Sequence, residues 1–431
     1  MKGAMSRCGI RVGCAILGAS LAACAASAAW DPGEPVVTYW GGPGFVGIPR
    51  NPSKLTDRWA EQLKEGGFNL VWTTSREELD VAARHGLRAI FDPEMLNVDV
   101  RDPRQAAALA AKIAAVKDHP ALYIYHHTDE PSAAKFVDLA RTKEYLGKLD
   151  PKHPVWINLL PTYAQNWQLG VEGEIISAYW EHVRLFREIY RPDFMTFDHY
   201  QFNVGGDTGN YLLNLGIIRQ NASAQGVPFF NGVQACSWTP GELASPKSPR
   251  IPGPDELRYL VHTTLAYGAQ GIYYLAYASP GHVGTIANLD GTTGPNYEPL
   301  KRLNRDFVAI ARQLKPYRFV GAYLKGLHAP GTTSWCEQAV LRVGPDAPTA
   351  ELQPNQELKD TTLVSRFDDA NGPARFMVVN LDYRKDRRID VEGPSPLDRF
   401  DPVGGAWVPL GGKSAALDVI RGSGVLLRVG R

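Results

Sequence analysis

The sequence predicts an α/β fold, a (β/α)8 barrel followed by a small antiparallel β-sandwich domain. Three observations carry this. Eight short β-rich runs alternate with amphipathic stretches over residues 30–317. Helix-to-strand joints carry Gly or Pro stops, among them Gly66-Gly67, Gly86, Pro120, Pro154, Pro192 and Gly226. From residue 318 to 431 the helical rhythm ceases, and strands separated by Gly, Pro and Asp turns replace it.

In chain order the barrel strands are expected at 36–40, 68–72, 87–91, 121–125, 155–158, 194–197, 227–231 and 271–275. Each is rich in β-branched or aromatic residues, as strands buried on both faces are. Between them, 106–116, 136–149, 178–190 and 257–267 have helical periodicity. An open doubly wound sheet is disfavoured, because no G-x-G-x-x-G follows the first strand. In the C-terminal part, 320–325, 361–367, 375–381 and 425–429 are expected as strands, with 344–356 as a Pro-rich loop.

The first 28 residues are set apart from the fold. Lys2, Arg7 and Arg11 precede a short apolar run, and Ala26-Ser27-Ala28 fits the cleavage pattern of a secretory signal. Leu21-Ala22-Ala23-Cys24 equally resembles a lipobox, which would leave a lipid anchor on Cys24. Both imply export, to the periplasm, the medium or a bacterial membrane surface. The apolar run is too short to span a bilayer, and no transmembrane helix is expected in the mature chain. Removing this leader takes away three positive charges and no acidic residue, so the formal charge goes from +1 to −2. A mildly negative chain with no basic excess argues against a nucleic-acid partner.

Only Cys236 and Cys336 remain beyond the leader. They are taken as two free thiols, with a disulfide as the alternative. No C-x-x-C or H-E-x-x-H pattern occurs, so no cofactor or metal is expected. His126 and His127 are consecutive on one strand and must face opposite sides, which makes a shared metal ion improbable.

A (β/α)8 barrel places its site on the face where the strands end. The residues at those ends are biased: Trp40, Trp72, Asp92, Asp129, Glu130, Asn158, Asp198, His199, Tyr200, Gln234, Trp238 and Tyr277. Carboxylates and amides bind sugar hydroxyls, and aromatic rings pack on apolar sugar faces, so a carbohydrate is the expected partner. Asp129-Glu130-Pro131, after strand four, is the sharpest feature. Glycoside hydrolysis requires a carboxylic acid that protonates the leaving oxygen, and a partly dry pocket keeps such a group protonated. The competing structural reading is that Asp129 or Glu130 caps the helix that follows.

Three segments resemble motifs of bacterial TIM-barrel glycoside hydrolases, of the β-galactosidase-like kind around families 42 and 2. They are Tyr125-His126-His127-Thr128-Asp129-Glu130-Pro131, Ile157-Asn158-Leu159-Leu160-Pro161 and Phe197-Asp198-His199-Tyr200. The segment 265–274 is similar to the last helix and strand of such a barrel, and 376–383 to the β domain that often follows. The resemblance implies Glu130 as acid/base. It also implies a nucleophilic Glu at the end of strand seven, where this chain carries Gln234. An amide is no nucleophile of that kind. The second carboxylate is then Asp198, or Asp92 or Glu94, or it is absent; Asp198 is taken here. Separations of about 5–5.5 Å and about 6.5–9.5 Å mark retention and inversion. The expectation is an exported glycosidase. The alternative is a non-catalytic glycan-binding lipoprotein on a degenerate hydrolase barrel.

Overall fold

The computed structural model describes residues 30–45, 53–95, 97–238, 245–325, 327–334, 336–344, 350–351 and 358–430. The leader, with its cleavage pattern and Cys24, lies outside them, as does most of the 344–356 loop. Eight parallel strands form one sheet: β1 (Val36–Trp40), β2 (Leu70–Thr73), β3 (Arg88–Phe91), β4 (Leu122–Asp129), β5 (Val155–Leu159), β6 (Met195–Asp198), β7 (Phe229–Gln234) and β8 (Gly271–Leu275). Their order is β1-β8-β7-β6-β5-β4-β3-β2, a strip whose two ends meet. This is the α/β barrel architecture, with additional antiparallel sheets after it.

The seam between β1 and β2 is closed largely by side chains. The Asn69 amide N–H donates to the Val37 carbonyl at 3.0 Å. Its side chain accepts from the Val37 N–H at 3.0 Å and donates to the Pro35 carbonyl at 2.8 Å. Higher up, the Trp72 indole donates to the Tyr39 carbonyl at 2.6 Å. Asn69→Ala removes two of these bonds. It is expected to lower unfolding stability by about 1–3 kcal/mol, measured by denaturant titration; an unchanged midpoint would show that the ladder closes without it.

Helices α1 (Asp57–Glu65), α2 (Arg76–Arg84), α3 (Pro103–Val116), α4 (Phe136–Leu149), α5 (Ile175–Leu185), α6 (Tyr211–Gln225), α7 (Pro254–Ala266) and α8 (Tyr297–Leu314) run with the strands. Their starts carry the expected caps: Thr56 accepts from the Trp59 N–H, Ser75 from the Glu78 N–H, and Asp102 from the Arg104 N–H ahead of a helix that begins with Pro103. Gly226 ends α6 with φ +73°, a conformation that favours glycine. Inside the barrel, the rings of Trp40, Trp72, Trp156, Tyr273 and His126 pack edge-on or tilted against one another. They fill the barrel beneath its mouth.

The C-terminal part contains β9 (Arg318–Lys325), β10 (Thr362–Asp369), β11 (Gly372–Asn380), β12 (Arg387–Glu392), β13 (Leu397–Asp401), β14 (Ala406–Pro409), β15 (Ser414–Val419) and β16 (Gly424–Val429). In the larger sheet β9-β10-β11-β16-β13-β14 are neighbours, and β12 pairs with β15 in a second sheet. Val364, Phe376 and Val378 of the first meet Ile389, Val391 and Leu417 of the second in a separate apolar core. The strands β12 to β15 were not anticipated. β12 and β15 bury only alternate residues near their ends, β12 with four charges in six residues, and β14 buries none, a weaker apolar signal than the others. This part is tied to the barrel by Tyr383, whose hydroxyl donates to Asp207 at 2.7 Å, and by Tyr267, which donates to the Gly331 carbonyl at 2.9 Å. Cys236 is buried and Cys336 half-buried, both free thiols.

Candidate active site

The ends of β4, β5, β6 and β8 converge on one polar cluster. Asn158, on β5, is its centre. Its amide nitrogen donates to Asp129 at 3.0 Å and to Asp198 at 3.3 Å, and its oxygen accepts from the Tyr273 hydroxyl. Tyr200 donates a short bond to the other oxygen of Asp198. One buried amide therefore positions two carboxylates that would otherwise repel.

Glu130 completes the cluster from an unusual backbone. Its φ is +45°, in the left-handed region, immediately before Pro131. A branched or long side chain avoids that region, and a residue before proline favours extended conformations. Holding it there costs about 1–3 kcal/mol. The conformation is fixed by the Glu130 N–H, which donates to the Asn158 carbonyl at 2.9 Å. Such a feature at a strand end aims the carboxyl rather than stabilising the fold. The Asp198 and Asp129 carboxyls lie close enough to Glu130 to raise its proton affinity.

The three carboxyls differ in exposure. Asp198 is buried, Glu130 half-buried and Asp129 exposed. Burial, followed by the neighbouring Asp198 and Asp129 charges, pushes Glu130 far above the ordinary carboxylate range. Asp198 is likewise raised, first by burial and then by Asp129, against the bonds from Tyr200 and Asn158. Burial raises Asp129 too, opposed by the Asn158 bond and by His126. Glu130 and Asp198 together hold a proton at neutral pH.

A second pair lies beside the cluster. Asp92, after β3, accepts from His126 Nδ1 at 3.1 Å and from the Glu94 N–H at 2.7 Å. Burial pushes the Asp92 carboxyl up, but the His126 charge and hydrogen bond, the Glu94 amide and Lys112 hold it below its usual value. His126 Nε2 is buried with no hydrogen-bond partner among the described residues. His127 turns the other way, toward Tyr190 between the helices. The two histidines do face opposite sides.

No protein-family model matches the chain, and no curated protein sequence matches it. Several solved structures are similar in fold. One titled only a glycoside hydrolase shares 14% identity at a TM-score of 0.45, covering 93% of this chain and 98% of that one. A glycoside hydrolase family 5 protein from Bacteroides vulgatus shares 12% identity, with a TM-score of 0.45 and 93% coverage of both chains. A putative α-L-fucosidase from Bacteroides thetaiotaomicron shares 10% identity at a TM-score of 0.43, covering 70% of this chain and all of that one. Likenesses this distant carry no functional argument. The functional reading rests on the cluster itself.

Not all of the residues singled out from the sequence belong to that cluster. Asp129, Glu130, Asn158, Asp198 and Tyr200 do, with Asp92 adjoining. Trp40 is nearly buried, at 8% exposure, with its ring over His126. Trp72 is fully buried and bonds across the β1–β2 seam. Gln234 is also buried, and its amide is bound to the backbone of Phe202 and to the Arg250 carbonyl, so it fixes two loops rather than facing a ligand. His199 points away from Asp198, under Tyr163 and Tyr211, as alternation along an extended segment requires. Tyr277 bonds to Gln62 on the outer side of the wall. Glu94 is exposed and paired with Lys112, which removes it as a second carboxylate. Trp238 lies in a short strand, Ser237–Trp238, paired with His282–Val283.

Sequence reasoning missed Tyr273 and Tyr163, and it considered His126 only as a metal ligand. For Tyr273 the signal was available: Tyr273 and Tyr274 alternate, one bonded to Asn158 inside and one to Asn304 outside. Tyr163 is half exposed beside Tyr200, whose N–H it accepts, and only the tertiary fold brings them together.

Proposed function

We propose that the protein hydrolyses O-glycosidic bonds of an oligo- or polysaccharide, with Glu130 as the general acid. The observation that carries this is the carboxyl cluster at the barrel mouth. There one acid is kept protonated by burial and by neighbouring charge, and a second carboxylate beside it is open to solvent. That arrangement supplies a proton donor and an anion to one small volume, as glycoside cleavage requires.

The partner assignment differs from the one drawn from sequence. Asp198 is among the groups that raise the proton affinity of Glu130. It is also buried and held at both oxygens. Asp198 therefore acts as a positioning residue that keeps the Glu130 proton in place. Asp129 takes the anionic role, stabilising positive charge on the sugar or orienting water. Tyr163 and Tyr200 offer ring surface near the mouth. Export through the N-terminal leader agrees with a polymer substrate outside the cell.

A second reading, glycan binding without cleavage, is favoured by one observation: β7 ends in Gln234, whose amide serves the framework. Sugar-release assays on a glycoside panel, run beside calorimetry with the same sugars, separate the two. The hydrolase reading expects turnover by wild type and binding without turnover by Glu130→Gln. Binding without turnover by wild type itself would overturn it.

The electrostatics also give a pH test. The Asp198 charge raises the proton affinity of Glu130, so Asp198→Asn lowers it, and Glu130 loses its proton at lower pH. The alkaline limb of kcat/KM is expected to move to lower pH in Asp198→Asn. A limb that stays fixed would remove Asp198 from this role.

A further inference from the structure

The opposite end of the barrel has the reverse chemistry. A cavity of about 510 Å³ opens where the strands begin, lined by Trp30, Arg219, Ser223, Gln270, Arg318 and Phe319, with Asp31 and Lys315 at its side. Asp31 is paired with Lys315. Arg318 is mostly exposed and 3.7 Å from Asp368.

Arg219, from α6, has no carboxylate among the described residues. Its Nε is buried without a hydrogen-bond partner. Its guanidinium lies 4.9 Å from the Phe319 ring centre and 5.9 Å from that of Phe229. The only influence on its proton affinity is burial, which pushes the pKa down to about 10 and leaves the group charged at neutral pH. The Gln270 side-chain oxygen in the same cavity is also buried and unpartnered. Turning its terminal amide over would present N–H donors instead.

A half-buried cation without a counter-ion is costly, and ring contacts offset only part of that. Interiors keep such groups when something else neutralises them. A guanidinium fork flanked by an amide, a serine hydroxyl and two more cations suits a planar or tetrahedral oxyanion. We propose that this cavity is an anion-binding site, separate from the carboxylate cluster, which takes a small molecule through a carboxylate, sulfate or phosphate group seated on Arg219. It does not depend on the glycosidase reading.

The test uses the full chain and needs no enzyme assay. Thermal unfolding and calorimetry are run with acetate, glucuronate, sulfate and inorganic phosphate against chloride at equal ionic strength. At least one oxyanion is expected to bind saturably and raise Tm by about 2 °C or more. Preference between the carboxylates and the tetrahedral anions identifies the group bound. In Arg219→Met the response should vanish, with the anion-free Tm at or above that of wild type, because an unpaired, half-buried charge has gone. Arg219→Lys, which keeps the charge but not the fork, should bind at least tenfold more weakly, and it decides the matter if the Met variant fails to fold. The proposal is overturned if wild type shows no oxyanion-specific response. It is overturned equally if the Met variant, or the Lys variant standing in for it, responds as wild type does.

Discussion

Replacing Glu130 by Gln is expected to lower hydrolysis of an ordinary glycoside by about 10²–10⁴-fold, the usual contribution of a positioned general acid. The amide matches the carboxyl in shape and leaves the backbone bond to Asn158 untouched, so the conformation at φ +45° is retained. Folding should not suffer. Asp198 and Asp129 raise the proton affinity of Glu130, and removing its carboxyl relieves that repulsion. Tm is therefore expected to be equal to or above that of wild type while activity is lost. A variant that unfolds early would mean Glu130 is a structural cap, the competing reading of its place before a helix. A stable variant with full activity would remove it from the chemistry.

Asp129→Asn is the second large effect, with a different signature. The amide oxygen still accepts from Asn158, so geometry persists and only the charge goes. Loss of a charge aimed at the developing transition state lowers kcat by about 10²–10³-fold, with KM changed far less. Because the charge acts on the sugar, the loss should be similar for every leaving group. A rise in KM at constant kcat would instead make Asp129 a hydroxyl-binding residue.

Much of this was visible in the sequence. The eight β runs and the Gly or Pro stops gave the barrel, because parallel strands buried on both faces are nearly continuous apolar segments. Strand-end position picked out Asp129, Glu130, Asn158 and Asp198, since that rule follows from barrel topology. What it did not resolve was direction. His199 and Tyr277 stand at the right height but point outward, and Gln234 and Trp72 bond to the framework. Strand-end position says which residues are near the mouth, and side-chain parity decides which of them enter it. The Asp92–His126 pair joins two strands and has no local signature. Nor does the electrostatic coupling between Glu130 and Asp198, on which the proposed positioning role of Asp198 rests.

The central claim is that Glu130 gives a proton to the leaving oxygen. The most direct measurement compares Glu130→Gln with wild type on two glycosides of the same sugar, one with an alkyl and one with a dinitrophenyl leaving group. Dinitrophenolate departs without a proton. The variant should therefore be crippled on the alkyl glycoside and retain near wild-type bond cleavage on the aryl one. Equal losses on both substrates would contradict the assignment of Glu130 as the acid.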